Sequence, residues 1–181
     1  MATDPLRAPL ASIELAPACA GGDDARAGEL ARMVNRAYAI AEEGIWAPGG
    51  RRIDARRIRG LIAAGELAVA HADGRLAGCV RVRALDAATG ELGLLVSAPE
   101  RRGIGLGRAL MTFAEERCRA RGARATRLEL LVPRDWAHPS KEALHRWYTR
   151  RGYRVVGERP FEDASAQFVT PCLFRTYERP L

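Results

Sequence analysis

Residues 91–111 read Glu-Leu-Gly-Leu-Leu-Val-Ser-Ala-Pro-Glu-Arg-Arg-Gly-Ile-Gly-Leu-Gly-Arg-Ala-Leu-Met. An apolar strand stops at Pro99, passes Arg101 and Arg102, and enters a helix through Gly103, Gly105 and Gly107. Glycine lets the backbone come close to a ligand with no Cβ in the way. The first turn of a helix adds unpaired N–H groups at the partly positive end of its dipole. Strand, glycines and helix start, in that order, make an anion site suited to a phosphate or pyrophosphate. Two phosphate loops are excluded by spacing. No GK[ST] follows the glycines, and the last glycine position of GxGxxG falls on Arg108 counted from Gly103, or on Leu110 counted from Gly105. A run of hairpin-linked strands also precedes the loop, which is the wrong setting for a dinucleotide fold. Taken alone, three glycines read first as a turn and a helix start.

Other chemistry-bearing residues are sparse. Cys19, Cys79, Cys118 and Cys172 are too widely spaced for a CxxC motif. Cys79 and Cys118 sit in apolar patterns, where free Cys behaves as a small core residue. His71, His138 and His145 show no ligand spacing, so no metal is expected.

The elements that must hold the loop follow from periodicity and caps. Residues 1–10 read as a loose leader and 12–16 as a weakly alternating strand. A helix capped by Asp23 or Asp24 runs to about Ala41, with Leu30, Met33, Val34, Ala37, Tyr38 and Ala41 at helical intervals. Asp54 caps a shorter helix bearing Ile58, Leu61 and Ile62, and Gly65 stops it. Leu67–His71 and Leu76–Leu85 form a hairpin through Asp73-Gly74, and Glu91–Ser97 follows as a third strand. Next come a helix over Ala109–Ala120, a strand over Thr126–Val132, and a helix over Ser140–Arg151 with Ser140 as N-cap. Tyr153–Gly157 and Cys172–Glu178 are the last strands. The order β-α-α-β-β-β-α-β-α-β-β predicts one α/β domain over residues 11–181, with a mixed, mostly antiparallel central sheet flanked by helices.

Composition agrees with a globular chain. Of 181 residues, 48 % are hydrophobic and 28 % charged, and no apolar run approaches a membrane span. With no secretion signal visible, the default is a soluble, cytoplasmic protein. The net charge is +7, and eight arginines against Glu115 and Glu116 put +6 of it between Arg101 and Arg127. Charge clustered on a phosphate loop, with only 6 % aromatics, argues against a general nucleic-acid surface.

Arg102-x-x-Gly105-x-Gly107 resembles the R/Q-x-x-G-x-G/A motif of the GCN5-related N-acetyltransferases. Leu94-Leu95-Val96-Ser97-Ala98-Pro99 is similar to that family's central strand and turn. Trp147-Tyr148-Thr149-Arg150-Arg151-Gly152-Tyr153 is similar to the FYxxxGF ending of its last helix. The element order matches as well, so the resemblance covers about residues 11–181.

The resemblance implies acetyl-CoA or another acyl-CoA as co-substrate. Amides from Gly103 through Ile104, Gly105, Leu106 and Gly107 to Arg108 would wrap the pyrophosphate, with Arg101, Arg102 and Arg108 as charged contacts. Leu94, Leu95 and Val96 would offer backbone groups to the pantetheine arm as an added strand does, and one strand N–H could stabilise the thioester oxyanion. Tyr148 would be the general acid that protonates the departing thiolate. For the general base Glu129 and Glu91 both flank the expected cleft; Glu129, which interrupts an apolar run, is preferred. Tyr38, Glu43 and Trp46, in a region that also holds Glu42, Arg51 and Arg52, would bind the acceptor. The carboxylates there suit a cationic amine, whereas the arginines suit a carboxylate. One departure stands out: Lys141 replaces an Asn that often contacts the cofactor arm. The implied partner is a small-molecule amine, with a homodimer as an option and neither nucleic acid nor membrane. A non-catalytic acyl-CoA sensor is the alternative.

Overall fold

The computed structural model describes residues 12–18, 23–101, 103–162 and 168–181. The expected leader, Cys19 and Arg102 therefore lie outside the described residues. Asp23 starts the first helix, α1 (Asp24–Ala41), by accepting from the amides of Ala25 and Arg26. Asp54 does the same for α2 (Ala55–Ala63) through Arg57. A side-chain acceptor at this position satisfies amides that the helix itself cannot pair.

Seven strands form one sheet: β1 (Ser12–Leu15), β2 (Leu67–Ala72), β3 (Arg75–Ala84), β4 (Thr89–Ser97), β5 (Ala125–Pro133), β6 (Arg154–Phe161) and β7 (Cys172–Pro180). Their order is β1-β2-β3-β4-β5-β7-β6, and every pairing is antiparallel except β4 with β5. That parallel step needs a crossover, which α3 (Leu106–Ala120) supplies. The remaining helix, α4, spans Pro139–Arg150. The sheet is thus mixed and mostly antiparallel, as expected.

Alternation along the strands feeds two cores. Ala68, Ala70, Val80, Leu92 and Leu128 pack with Leu110, Met111 and Ala114 of α3 and Tyr148 of α4. Leu67, Val69, Cys79 and Val96 pack with Leu30 and Val34 of α1 and with Ile58 and Ile62 of α2. Successive strand residues point to opposite faces, so each helical layer receives its own set. Gly90 sets the depth of α3, because a Cβ there would fall 2.2 Å from Cys118 Sγ.

Two boundaries differ from expectation. Helix α3 begins at Leu106 rather than Ala109, directly after Gly105, which sits at φ +83° as the capping residue. Gly107 is consequently inside the first turn. In α4 the N-cap is His138, whose Nδ1 accepts from the Ser140 amide, with Pro139 at the first helical position. Proline is suited to that position because its φ is preset and no amide is lost. The Ser140 hydroxyl instead donates to the carbonyl of Ala41 at the end of α1.

Candidate active site

β4 and β5 pair only from Thr89 opposite Ala125 to Leu92 opposite Leu128. Beyond Leu92 they part. β5 stays paired with β7 along its whole length, and β4 stays with β3 as far as Ser97, so the opening runs between two otherwise intact strands. A register shift accompanies the opening. Cys79 lies opposite Val96 and Arg81 opposite Gly93, one residue too few on β3. Leu94 takes the extra place at φ +45°, a left-handed conformation that bulky residues rarely adopt. The edge of β4 past the bulge is left without a strand partner on its β5 side.

A cavity of about 570 Å³ fills this opening. It crosses the sheet, reaching Tyr38 and Glu42 of α1 on one side and Gly107 and Met111 of α3 on the other. Of the residues expected at the site, Tyr148, Glu129, Leu94, Leu95, Val96, Gly107 and Tyr38 all line it. Glu91, Glu43, Trp46, Arg101 and Arg108 are not among its lining residues.

Tyr148 is buried, its ring held by Trp147, Tyr153 and Tyr177 at centroid distances of 5.1, 6.0 and 5.6 Å. Its hydroxyl has no hydrogen-bond partner among the described residues. Burial, reinforced by the neighbouring Tyr38, Tyr153 and Tyr177, raises its pKa well above the ordinary 10.0. Such a group stays protonated at neutral pH and can act as an acid. By contrast Tyr153 is committed to structure, bonding Thr126 Oγ1 at 2.9 Å and Glu115 at 3.1 Å.

The two candidate bases part company. Glu129 lines the cavity and is held by Arg159, whose Nε and Nη2 reach its two oxygens at 3.2 and 2.9 Å. Glu91 lies on the paired part of β4, bonded by Arg81 and, at 2.7 Å, by Arg83.

At the glycine loop, Gly103 (φ +86°) and Gly105 (φ +83°) both occupy the left-handed region, and a Cβ on either would meet nothing within 4 Å. Backbone conformation, not crowding, demands glycine there, and open space remains in front of the loop. Helix α3 has neither a capping side chain nor an acidic residue in its first turn, so its leading amides are free for an anion. Ile104 is exposed, whereas the Leu106 side chain is buried and leaves only its backbone to the loop. Arg101 pairs with Asp73 at 2.7 Å, and Arg36 of α1 holds Glu100 at 2.7 Å, tying the turn before the glycines to the scaffold. Arg108 borders a second cavity with Arg119 and Arg150, and none of these three has an ion pair among the described residues.

At the α1 end, two residues to which the sequence assigned no role meet. Glu42 and Lys141 are 2 % and 3 % exposed and form an ion pair. Trp46 Nε1 donates to the other oxygen of Glu42. Burial pulls the Lys141 ammonium below its ordinary 10.5, and Glu42 beside it works the other way. Glu43 is exposed and offers only its carbonyl, to His138 Nε2 at 3.0 Å. Helical phase carries the signal that separates the two acids. Glu42 lies four residues after Tyr38 and shares its face; Glu43 does not. Arg52, half-buried, lines the cavity with its guanidinium 4.8 Å from the Tyr38 ring centroid and 5.7 Å from that of Trp46.

The profile of the acetyltransferase (GNAT) domain matches residues 63–155, more than half of the chain and including β4, the glycine loop and Tyr148. The chain belongs to the GNAT family. Solved structures agree on the fold. Ard1 of Thermoplasma volcanium is 17 % identical with a TM-score of 0.67, over 94 % of this chain and 97 % of its own. The polyamine N-acetyltransferase of Drosophila melanogaster, which forms N-acetylagmatine, is 15 % identical with a TM-score of 0.67, over 94 % and 100 %. YncA of Salmonella typhimurium, solved with its cofactor acetyl-CoA, is 16 % identical with a TM-score of 0.65, over 94 % of each chain. No curated protein matches the sequence significantly. Among the described residues of this GNAT chain, no cysteine lines the cleft. Cys79 is buried and burial pushes its thiol up to about 12, leaving it protonated and inert.

Proposed function

We propose that this protein moves an acyl group, acetyl first among them, from acyl-CoA to the amine of a small molecule within a ternary complex, and that residues 11–181 form the catalytic domain. The observation that carries this reading is the cleft where β4 leaves β5, with the Tyr148 hydroxyl unpartnered on its wall. Family membership and the fit of the glycine loop to a pyrophosphate support it.

In this reading the amides from Gly103 to Arg108 hold the pyrophosphate, with Arg102 and Arg108 adding charge. The free edge of β4 at Leu94, Leu95 and Val96 pairs with the amides of the pantetheine arm. A strand N–H beside the bulge polarises the thioester carbonyl. The acceptor arrives mostly as an ammonium and loses a proton to Glu129, directly or through a water. Its nitrogen then bonds to the acyl carbon as the C–S bond breaks, Tyr148 gives its proton to the departing sulfur, and the second proton that the nitrogen sheds restores the Tyr148 hydroxyl, while Glu129 releases its own to solvent. The products are an amide and CoA thiol. Glu129 is the base of choice because it lines the cavity and Glu91 does not.

Calorimetric titration with acetyl-CoA, followed by thiol release over a panel of amines, tests the proposal. Binding with amine-dependent thiol release is expected. Absence of binding would overturn the reading altogether, and binding without release on any amine would make the protein an acyl-CoA sensor.

A further inference from the structure

Two cations on the wall of the cavity, Arg52 and Arg150, have no ion pair among the described residues, and only Arg52 sits at the α1 end of the cavity. The charged side chains lining it are Glu42, Arg52, Glu129, Lys141 and Arg150. Both oxygens of Glu42 are engaged, one by Lys141 and the other by Trp46. Both oxygens of Glu129 are engaged by Arg159. Arg150 also borders the second, arginine-rich cavity beside Arg108. Arg52 alone remains at the α1 end, with no carboxylate partner among the described residues.

Arg52 is also held in place. Asn35 of α1 accepts from the amides of Arg52 and Ile53 at 2.8 and 3.1 Å and donates to the Ile53 carbonyl at 2.8 Å. This three-bond clamp fixes the backbone, while Tyr38 and Trp46 flank the guanidinium. A planar cation fixed in advance and lacking an anion is suited to a carboxylate, which it can meet through two parallel hydrogen bonds. Tyr38, which the Arg52 guanidinium approaches to 4.8 Å, lines the same cavity as Arg52 and Tyr148. An acceptor whose carboxylate rests on Arg52 therefore shares that cavity with the Tyr148 side chain.

We infer that the acceptor is an amine that carries a carboxylate, of the amino-acid class, with Arg52 as its specificity-determining residue. The inference rests on the acyl-transfer reading above. A polyamine is the contrasting case, since its second cation would meet Arg52 and Lys141 and find no lining carboxylate without a donor on each oxygen. The carboxylate takes no part in bond exchange. The amine nitrogen gains the acyl carbon, CoA leaves as the thiol with the Tyr148 proton, and the product keeps its charge on Arg52.

The test compares common α-amino acids and ω-amino acids of increasing length with their carboxamides and with agmatine, using the full chain and acetyl-CoA. For the best acceptor, kcat/KM is expected to exceed that of its carboxamide by about 10- to 100-fold. Arg52→Gln should remove most of that ratio by raising the KM of the acid acceptor, with the KM of acetyl-CoA near wild type. Arg52→Lys should retain part of the ratio. Equal rates for acids and carboxamides, or a preference for agmatine, would overturn the inference while acyl transfer stands. A preference for acids that survives Arg52→Gln would overturn the role of Arg52. Failure of acetyl-CoA to bind would remove the acyl-transfer reading itself, and should Arg52→Gln not fold, the acid-to-carboxamide ratio of the unaltered protein still decides the substrate class.

Discussion

Tyr148 sits on the wall of the cleft with its ring buried among three aromatic neighbours, and that burial favours the protonated hydroxyl. Removing that hydroxyl breaks no hydrogen bond among the described residues. Tyr148→Phe is expected to lower kcat by about a hundredfold or more, with the Kd of acetyl-CoA by calorimetry and the thermal midpoint both near wild type. Wild-type kcat in this variant would remove Tyr148 from the mechanism. The pH dependence has a definite sign. Because the pKa is raised above 10.0, the acid form persists through that pH, and no alkaline loss of kcat below it should be traceable to Tyr148. The tyrosine itself was legible in the sequence through its place before Gly152. Its burial was not, since Trp147, Tyr153 and Tyr177 gather around it from α4, the turn after α4, and β7.

At the scale of elements, the C-terminal end of α1 is fastened to the start of α4. Lys141 reaches Glu42, the Ser140 hydroxyl reaches the Ala41 carbonyl, and His138 Nε2 bonds the Glu43 carbonyl at 3.0 Å. No basic residue lies in the last turn of α1, so Lys141 also places a cation where that helix has its negative end. Lys141→Met leaves a buried carboxylate unpaired and is expected to cost about 3–5 kcal/mol in denaturant unfolding. Adding Glu42→Leu should recover most of the loss, short of about 1 kcal/mol for the Trp46 bond that goes with it. Equal losses in the single and double variants would show that the pair is not what joins the helices. Helix and strand positions were readable from period and caps. The start of α3 and the cap of α4 were misplaced because apolar spacing does not reveal that Gly105 takes a left-handed conformation, or that Ser140 is drawn away to another helix.

Across the whole molecule, the +7 charge becomes a set of local arrangements. Arg101 and Arg127 are paired with Asp73 and Glu178, while Arg108, just past the loop, lines one cavity with Arg119 and Arg150, none of the three in an ion pair among the described residues. Exposed arginines attract phosphates through a field that salt screens within about 10 Å at 0.1 M. The KM of acetyl-CoA should therefore rise with added salt, while the KM of an acceptor held, as we infer, at the half-buried Arg52 should change less. Equal salt responses in steady-state kinetics would contradict that division. Sequence alone determined the local features: the glycine loop, the helix and strand periods, the order of eleven elements and the Tyr148 motif. Each depends on residues a few positions apart, so neighbours in the chain are enough to specify it. Tertiary structure decided where β4 leaves β5, which acid of the Glu42–Glu43 pair is buried, and which arginines on the cavity wall lack an ion pair among the described residues. Those outcomes turn on contacts between distant parts of the chain, such as Glu42 with Lys141 across 99 residues, where burial and charge pairing act only once the chain is folded.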